Sequence, residues 1–194
     1  MIDKINIKIV LLFCLVLFIG TSCHRASVPK PYGYFRLTVP DTAYTLYAGS
    51  EPFRFALSQN AQANVMPKED GSLWLDIHYP TLNATMHGSY FPIHKNLDLL
   101  TDEAIKFVYK HTTQATSIPE QAFVNEEQHV YGVFFHLQGN TASQFQFFLT
   151  DSVHHFFRAS VYCECKPNAD SLAPVYDYLE QDIKRLIESW QWEE

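Results

Sequence analysis

Gln128-His129-Val130-Tyr131-Gly132-Val133-Phe134-Phe135-His136-Leu137, Ser143-Gln144-Phe145-Gln146-Phe147-Phe148-Leu149-Thr150 and His154 to Tyr162 form the stretch on which the fold turns. The first two segments flank Gln138-Gly139-Asn140-Thr141-Ala142, where Gly139-Asn140 makes a favoured hairpin corner, and Asp151-Ser152 turns the chain again. Connections this short permit only antiparallel neighbours, because a parallel crossover takes a dozen or more residues. The stretch therefore predicts a three-stranded meander.

Side-chain parity then sorts its faces. Tyr131, Val133, Phe135 and Leu137 join Phe145, Phe147 and Leu149, then Phe157, Ala159, Val161 and Cys163, as an apolar side for helices to cover. The opposite parity carries Phe134, His136, Gln144, Gln146, Phe148, Phe156, Arg158 and Tyr162. Rings supply contact area while amides and a guanidinium supply direction, which is the chemistry of docking surfaces. Phe134, Phe148, Phe156, Arg158 and Tyr162 are thus the candidate partner-binding residues, unless another part of the chain covers them.

Upstream, Gly33 to Val39, Pro52 to Leu57, Leu73 to Tyr79 and Ala84 to Phe91 have strand character. Helical spacing follows: from Asn96 as a possible N-cap, Leu97, Leu100, Ala104, Val108 and His111 make one apolar stripe. A second helix starts with Ser171 as cap and Pro174 in its first turn. Leu172, Val175, Leu179, Ile183, Leu186 and Trp190 line one side of it, and Asp177, Glu180, Lys184 and Glu188 the other. The expected fold class is α+β, a mostly antiparallel sheet of about six to eight strands with two main helices packed on it.

At the front, Lys4 and Lys8 precede an apolar run from Ile9 to Ile19, then Gly20-Thr21-Ser22-Cys23. Eleven apolar residues are too few for the ~20 that span a bilayer, so residues 1–22 read as a signal peptide. A cysteine directly after small residues is the lipoprotein pattern, with Cys23 as the lipid-attachment site, although Gly20 stands where that pattern usually has Leu. An ordinary secretory signal is the alternative. Residues 23–31, His24-Arg25-Ala26-Ser27-Val28-Pro29-Lys30-Pro31 after the cysteine, read as a tether. Residues 32–194 show no linker, repeat or charge block and read as a single domain.

Composition bounds the function. The 194 residues are 47% hydrophobic, which is globular, and carry a net charge of −7 without a basic cluster, which sets nucleic acid aside. The mature chain keeps Cys163 and Cys165, read as small core residues, since C-x-C lacks the second pair that a metal site needs. His78, His87 and His94 could be gathered around a metal, but no carboxylate pattern accompanies them. Asp151-Ser152-Val153-His154-His155 reads as a turn entering a strand, and no catalytic motif is found, so no enzyme, cofactor or metal is expected.

Six ordered segments go further: Pro29-Lys30-Pro31-Tyr32-Gly33-Tyr34-Phe35-Arg36, Asn83-Ala84-Thr85-Met86-His87-Gly88-Ser89-Tyr90, Val108-Tyr109-Lys110-His111-Thr112, Val130-Tyr131-Gly132-Val133-Phe134, Gln146-Phe147-Phe148-Leu149-Thr150-Asp151-Ser152 and Pro167-Asn168-Ala169-Asp170-Ser171-Leu172-Ala173-Pro174-Val175. Together they resemble the gliding-motility lipoprotein family GldD over essentially the whole mature chain. The resemblance implies a non-enzymatic, membrane-anchored accessory of the gliding machinery and the associated type IX secretion system, linked to other gliding lipoproteins, notably GldJ. Only the acylated cysteine transfers, onto Cys23. Lipoproteins displayed on the surface of such bacteria resemble one another in acidic residues after that cysteine. His24-Arg25-Ala26-Ser27 has none, which implies an outer-membrane protein facing the periplasm. A periplasmic lipid-anchored small-ligand binder is the other reading, to be recognised by a deep pocket at Phe134, Phe148, Phe156 and Tyr162.

Overall fold

The structure, a computed structural model, describes residues 43–110 and 114–193. The signal segment, Cys23, the tether, the expected strand Gly33 to Val39 and His111 lie outside the described residues.

Seven strands make the main sheet: β3 (Gln62–Pro67), β4 (Leu73–Tyr79), β5 (Ala84–Pro92), β7 (Glu120–Asn125), β8 (Val130–His136), β10 (Ser143–Thr150) and β11 (His155–Cys163). Their spatial order is β3-β4-β5-β11-β10-β8-β7, every pairing antiparallel. A three-stranded sheet joins β1 (Tyr44–Ala48), β2 (Phe53–Ser58) and β12 (Gln191–Trp192), and β6 (Ala115–Ser117) pairs with β9 (Gln138–Gly139). The helices are α1 (Leu97–Tyr109) and α2 (Ala169–Glu188). The expected α+β class, antiparallel sheet and two helices are what the chain forms.

The alternation Leu73, Leu75, Ile77, Tyr79 against Trp74, Asp76, His78 gives β4 one dry and one wet face. On the dry face α2 and the small sheet cover Leu75, Ile77, Met86, Phe134, Phe145, Phe147, Leu149 and Phe157. Trp190, fully buried, packs 4.8 Å from Phe53, 5.2 Å from Phe55 and 4.7 Å from Phe157, ring centroid to centroid. It follows the end of α2 and leads into β12, so the C-terminus is pinned across β2. The opposite face of the sheet takes α1, whose Leu100, Ala104 and Val108 meet Phe135, Phe148 and Phe156.

The meander forms, but β8 is placed one residue away from the parity expected for it. Phe147 pairs with Phe134 and Phe145 with His136, so Phe134 joins the α2 core while Val133 and Phe135 face α1. The cause lies in the connection. Leu137 N–H donates to the Gln144 carbonyl at 2.7 Å, so the loop runs 138–143 instead of 138–142. The buried Thr141 hydroxyl occupies it, donating toward the Leu137 and Ser143 carbonyls at 3.1 and 3.0 Å. With a period of two, one extra loop residue turns the whole strand over. Gly139 is drawn into β9, and Asn140 Oδ1 accepts the Ala169 N–H at 2.9 Å, tying this corner to the start of α2.

Both caps also differ in detail. Asn168, not Ser171, caps α2: its side chain accepts the Ser171 N–H at 3.1 Å, so the helix starts earlier and Pro174 lies inside it. Asn96 occupies the N-cap of α1, but its Oδ1 turns back to accept the His94 N–H at 2.7 Å.

Candidate functional site

The α1 face of the sheet is the side where the chemistry gathers. On β11 the residues Phe156, Arg158, Ser160 and Tyr162 follow one another along it. Arg158 has Phe148 of β10 and Ser89 of β5 as cross-strand partners, and Ser160 has Gln146 and His87. Asp76 of β4 lies beyond His87, completing a polar row across four strands. Directly opposite pairs stand ~5 Å apart between Cβ atoms, close enough for one bound group to touch two of them.

Helix α1 crosses this face and closes only part of it. Ala104, Phe107 and Val108 form one wall of a cleft of about 210 Å³, whose floor includes Gln146, Phe148, Arg158, Ser160 and Tyr162. The Arg158 guanidinium lies over the Phe107 ring at 4.4 Å and 4.0 Å from Glu103 Oε2. Burial lowers its pKa, with Glu103 pulling the other way, and an arginine keeps its charge at any physiological pH. Gln146 is 4% exposed, and its Nε2 has no hydrogen-bond partner among the described residues. His87 Nδ1 meets Asp76 Oδ1 at 2.7 Å. Asp76, His87 and Ser160 stand in the order of a hydrolytic triad, but no Ser160–His87 hydrogen bond is formed among the described residues. A nucleophile and its base need about 2.6–3.2 Å, so the row serves as polar lining.

Of the residues read from sequence as partner-binding, the cleft brings together Phe148, Arg158 and Tyr162. Phe134 lies on the far side, 2% exposed and stacked on Phe145 at 5.6 Å, and His136 shares that side. Phe148 and Phe156 are 7% and 0% exposed beneath α1, so the helix occupies the surface they would offer. Arg158 and Tyr162 remain half-buried, accessible beside it. Trp74 and Phe107, both exposed, escaped the reading, and Gln146, placed correctly on the mixed face, was not singled out as a site residue. Their signal was local: Trp74 sits at the wet parity of its strand, and Gln146 interrupts a strand buried on both faces. Lys68 Nζ caps the Trp74 ring at 3.6 Å.

The histidines disperse. His78 Nδ1 pairs with the Thr85 hydroxyl at 3.0 Å and His87 with Asp76, while His94 is exposed in a loop. Among the described residues no group of three or more His, Cys, Asp or Glu could hold a metal ion. Asp151 Oδ1 accepts the N–H groups of Val153, His154 and His155, the turn that this segment predicted, and its backbone bonds keep the Asp151 pKa low despite burial. Cys163 packs against the core, where burial lifts its thiol to about 12, whereas Cys165 is exposed past the strand end and is no core residue. Deeper in, Asp182 is 2% exposed and its Oδ2 accepts the Tyr79 hydroxyl at 2.7 Å, while Oδ1 has no partner among the described residues. Burial raises the Asp182 pKa against the pull of Tyr79 and Tyr44.

These elements define a class: an antiparallel α+β domain, dry and fully covered on one sheet face, half-covered and mixed in polarity on the other. No helix among the described residues is long and apolar enough to cross a membrane. The model of the family described as gliding motility lipoprotein GldD matches residues 24–192, and the chain belongs to that family. A search of curated proteins finds no match. Membership assigns a role in gliding motility and the standing of a lipid-anchored envelope protein, in a family not known for enzymatic activity.

Proposed function

We propose that this chain is a non-catalytic scaffold of the gliding machinery and the associated type IX secretion system, docking other envelope lipoproteins, with GldJ the first candidate. Its anchor is lipid on Cys23, in the outer membrane, with the domain facing the periplasm. The observation that carries the reading is the half-covered sheet face, where Trp74, Phe107, Arg158 and Tyr162 stand accessible among polar neighbours. Large rings and an arginine at the rim of an open face are the residue types on which binding energy concentrates.

A photocrosslinking residue at position 74 or 107, in cells, should capture a gliding lipoprotein, whereas the same residue at Val124, on the opposite sheet edge, should not. Equal capture from both positions, or none from the first two, would refute the docking face. Cys23→Ser should release the protein from the membrane fraction, and its continued attachment would refute lipid on Cys23 as the anchor.

A further inference from the structure

The cleft beneath α1 holds one buried donor that no described residue uses. Gln146 lines it with a carboxamide nitrogen that lacks a partner among the described residues. An unpaired NH₂ at 4% exposure disfavours folding, and Met would fill nearly the same space without that penalty. Arg158 lies diagonal to it on the next strand, with an apolar ring beneath its guanidinium and one long contact at 4.0 Å to Glu103. Ser160 lies between Gln146 and His87.

We propose that this cleft binds a small carboxylate carried on a compact apolar body. The carboxylate sits between the Arg158 guanidinium and the Gln146 amide, and the apolar part lies against Phe107, Val108 and Phe148. A planar guanidinium fork matches a carboxylate with two parallel bonds, and a buried amide N–H supplies a third. Of the two anions nearby, neither blocks the site and only Glu103 competes for Arg158. Asp76 is engaged by His87 at 2.7 Å, and the Glu103 side chain, 49% exposed, is easily displaced from a contact as long as 4.0 Å. At about 210 Å³ the cleft is smaller than the ~300–1,000 Å³ that encloses a drug-sized ligand, which limits the body to one ring or a short chain. The cleft shares Phe107, Arg158 and Tyr162 with the proposed docking face, so the carboxylate site belongs to that same face, but carboxylate binding by the purified protein and partner capture in cells are read separately and either can fail alone.

The test titrates benzoate and hexanoate into the full-length protein in neutral detergent, read by saturation-transfer NMR, with benzamide and hexanamide as uncharged counterparts. At least one carboxylate should bind saturably and ~10-fold or more tighter than its amide, as expected for charge-assisted bonds. Arg158→Gln and Gln146→Met should each weaken it by about tenfold, and Gln146→Met should melt no lower than the natural protein. Should Arg158→Gln disturb packing, Glu103→Gln decides: removing the competing charge tightens a carboxylate site several-fold. No saturable carboxylate signal, equal affinity for the amides, full binding by Gln146→Met, or unchanged affinity in Glu103→Gln would overturn the proposal.

Discussion

Replacing Phe134 with alanine separates the two registers available to the meander. In the structure its ring is 2% exposed, stacks on Phe145 at 5.6 Å and lies under Lys184 Nζ at 5.5 Å. Truncating a buried Phe costs about 3–5 kcal/mol, lost transfer energy plus the cavity left behind. Against a total of about 5–15 kcal/mol, that is a large fraction of what holds the domain together. At roughly 2–4 °C per kcal/mol for a chain of this size, melting should fall by about 6–20 °C. The companion variant is Tyr131→Ala. Its hydroxyl meets Glu126 at 2.8 Å in an exposed pair, and the residue lies only partly buried on the other face, so the expected loss is under about 1.5 kcal/mol. Chemical denaturation of both variants reads the difference directly. The register slipped by one residue reverses the ranking, with Tyr131 in the core and Phe134 on the docking face. A Phe134→Ala protein that melts like its parent but loses its partner would refute the packing described above.

Two further outcomes follow from buried groups. Because burial raises the folded-state pKa of Asp182 above its unfolded value, its protonated form favours folding; that contribution is complete below the unfolded pKa and fades as pH rises through the folded one. Asp182→Asn keeps an acceptor for Tyr79 without titrating, so its stability relative to the parent should grow from pH 4 upward and then level off. Parallel denaturation midpoints from pH 4 to 8 would contradict it, since Asp151, His136 and His155 titrate alike in both proteins and cancel. Gly88→Ala would push a methyl group into the Phe157 ring and to 3.1 Å from the Leu75 carbonyl oxygen, an overpacking cost of about 1–3 kcal/mol. An unchanged midpoint of denaturation would count against that close approach.

What could be read in advance followed from contrast along the chain. Strands β4 and β5 came out nearly to the residue because one face of each is dry and the other wet. Strands β1, β3 and β7 carry little such contrast: Gln62–Pro67 is a polar edge strand ending in proline, and Glu120–Asn125 exposes Glu120, Gln121, Ala122 and Val124. The two residues of β12 count as a strand only because β2 lies beside them. The mixed face was placed correctly on β10 and β11 and incorrectly on β8, because parity within a strand is local while parity between strands depends on the loop. Which mixed residues stay accessible depended on where α1 lands, and no local pattern in β10 or β11 encodes that.

The unequal covering of the sheet bears on how the molecule responds to a partner or a ligand. Helix α2 buries Val175, Tyr176, Tyr178, Leu179, Asp182, Ile183, Leu186 and Ile187, and the strand that follows fastens its end to β2. Helix α1 buries only Leu100, Ala104 and Val108, one of them an alanine, and exposes Leu99, Phe107 and Tyr109. Elements with few buried apolar contacts open at lower free-energy cost than those built into a core. Displacing α1 would uncover Phe148 and Phe156 beside Arg158 and Tyr162, the very residues whose composition suggested docking. Burial under α1 is therefore compatible with their use only by a partner that displaces the helix, since Leu100, Ala104 and Val108 pack directly on Phe148 and Phe156.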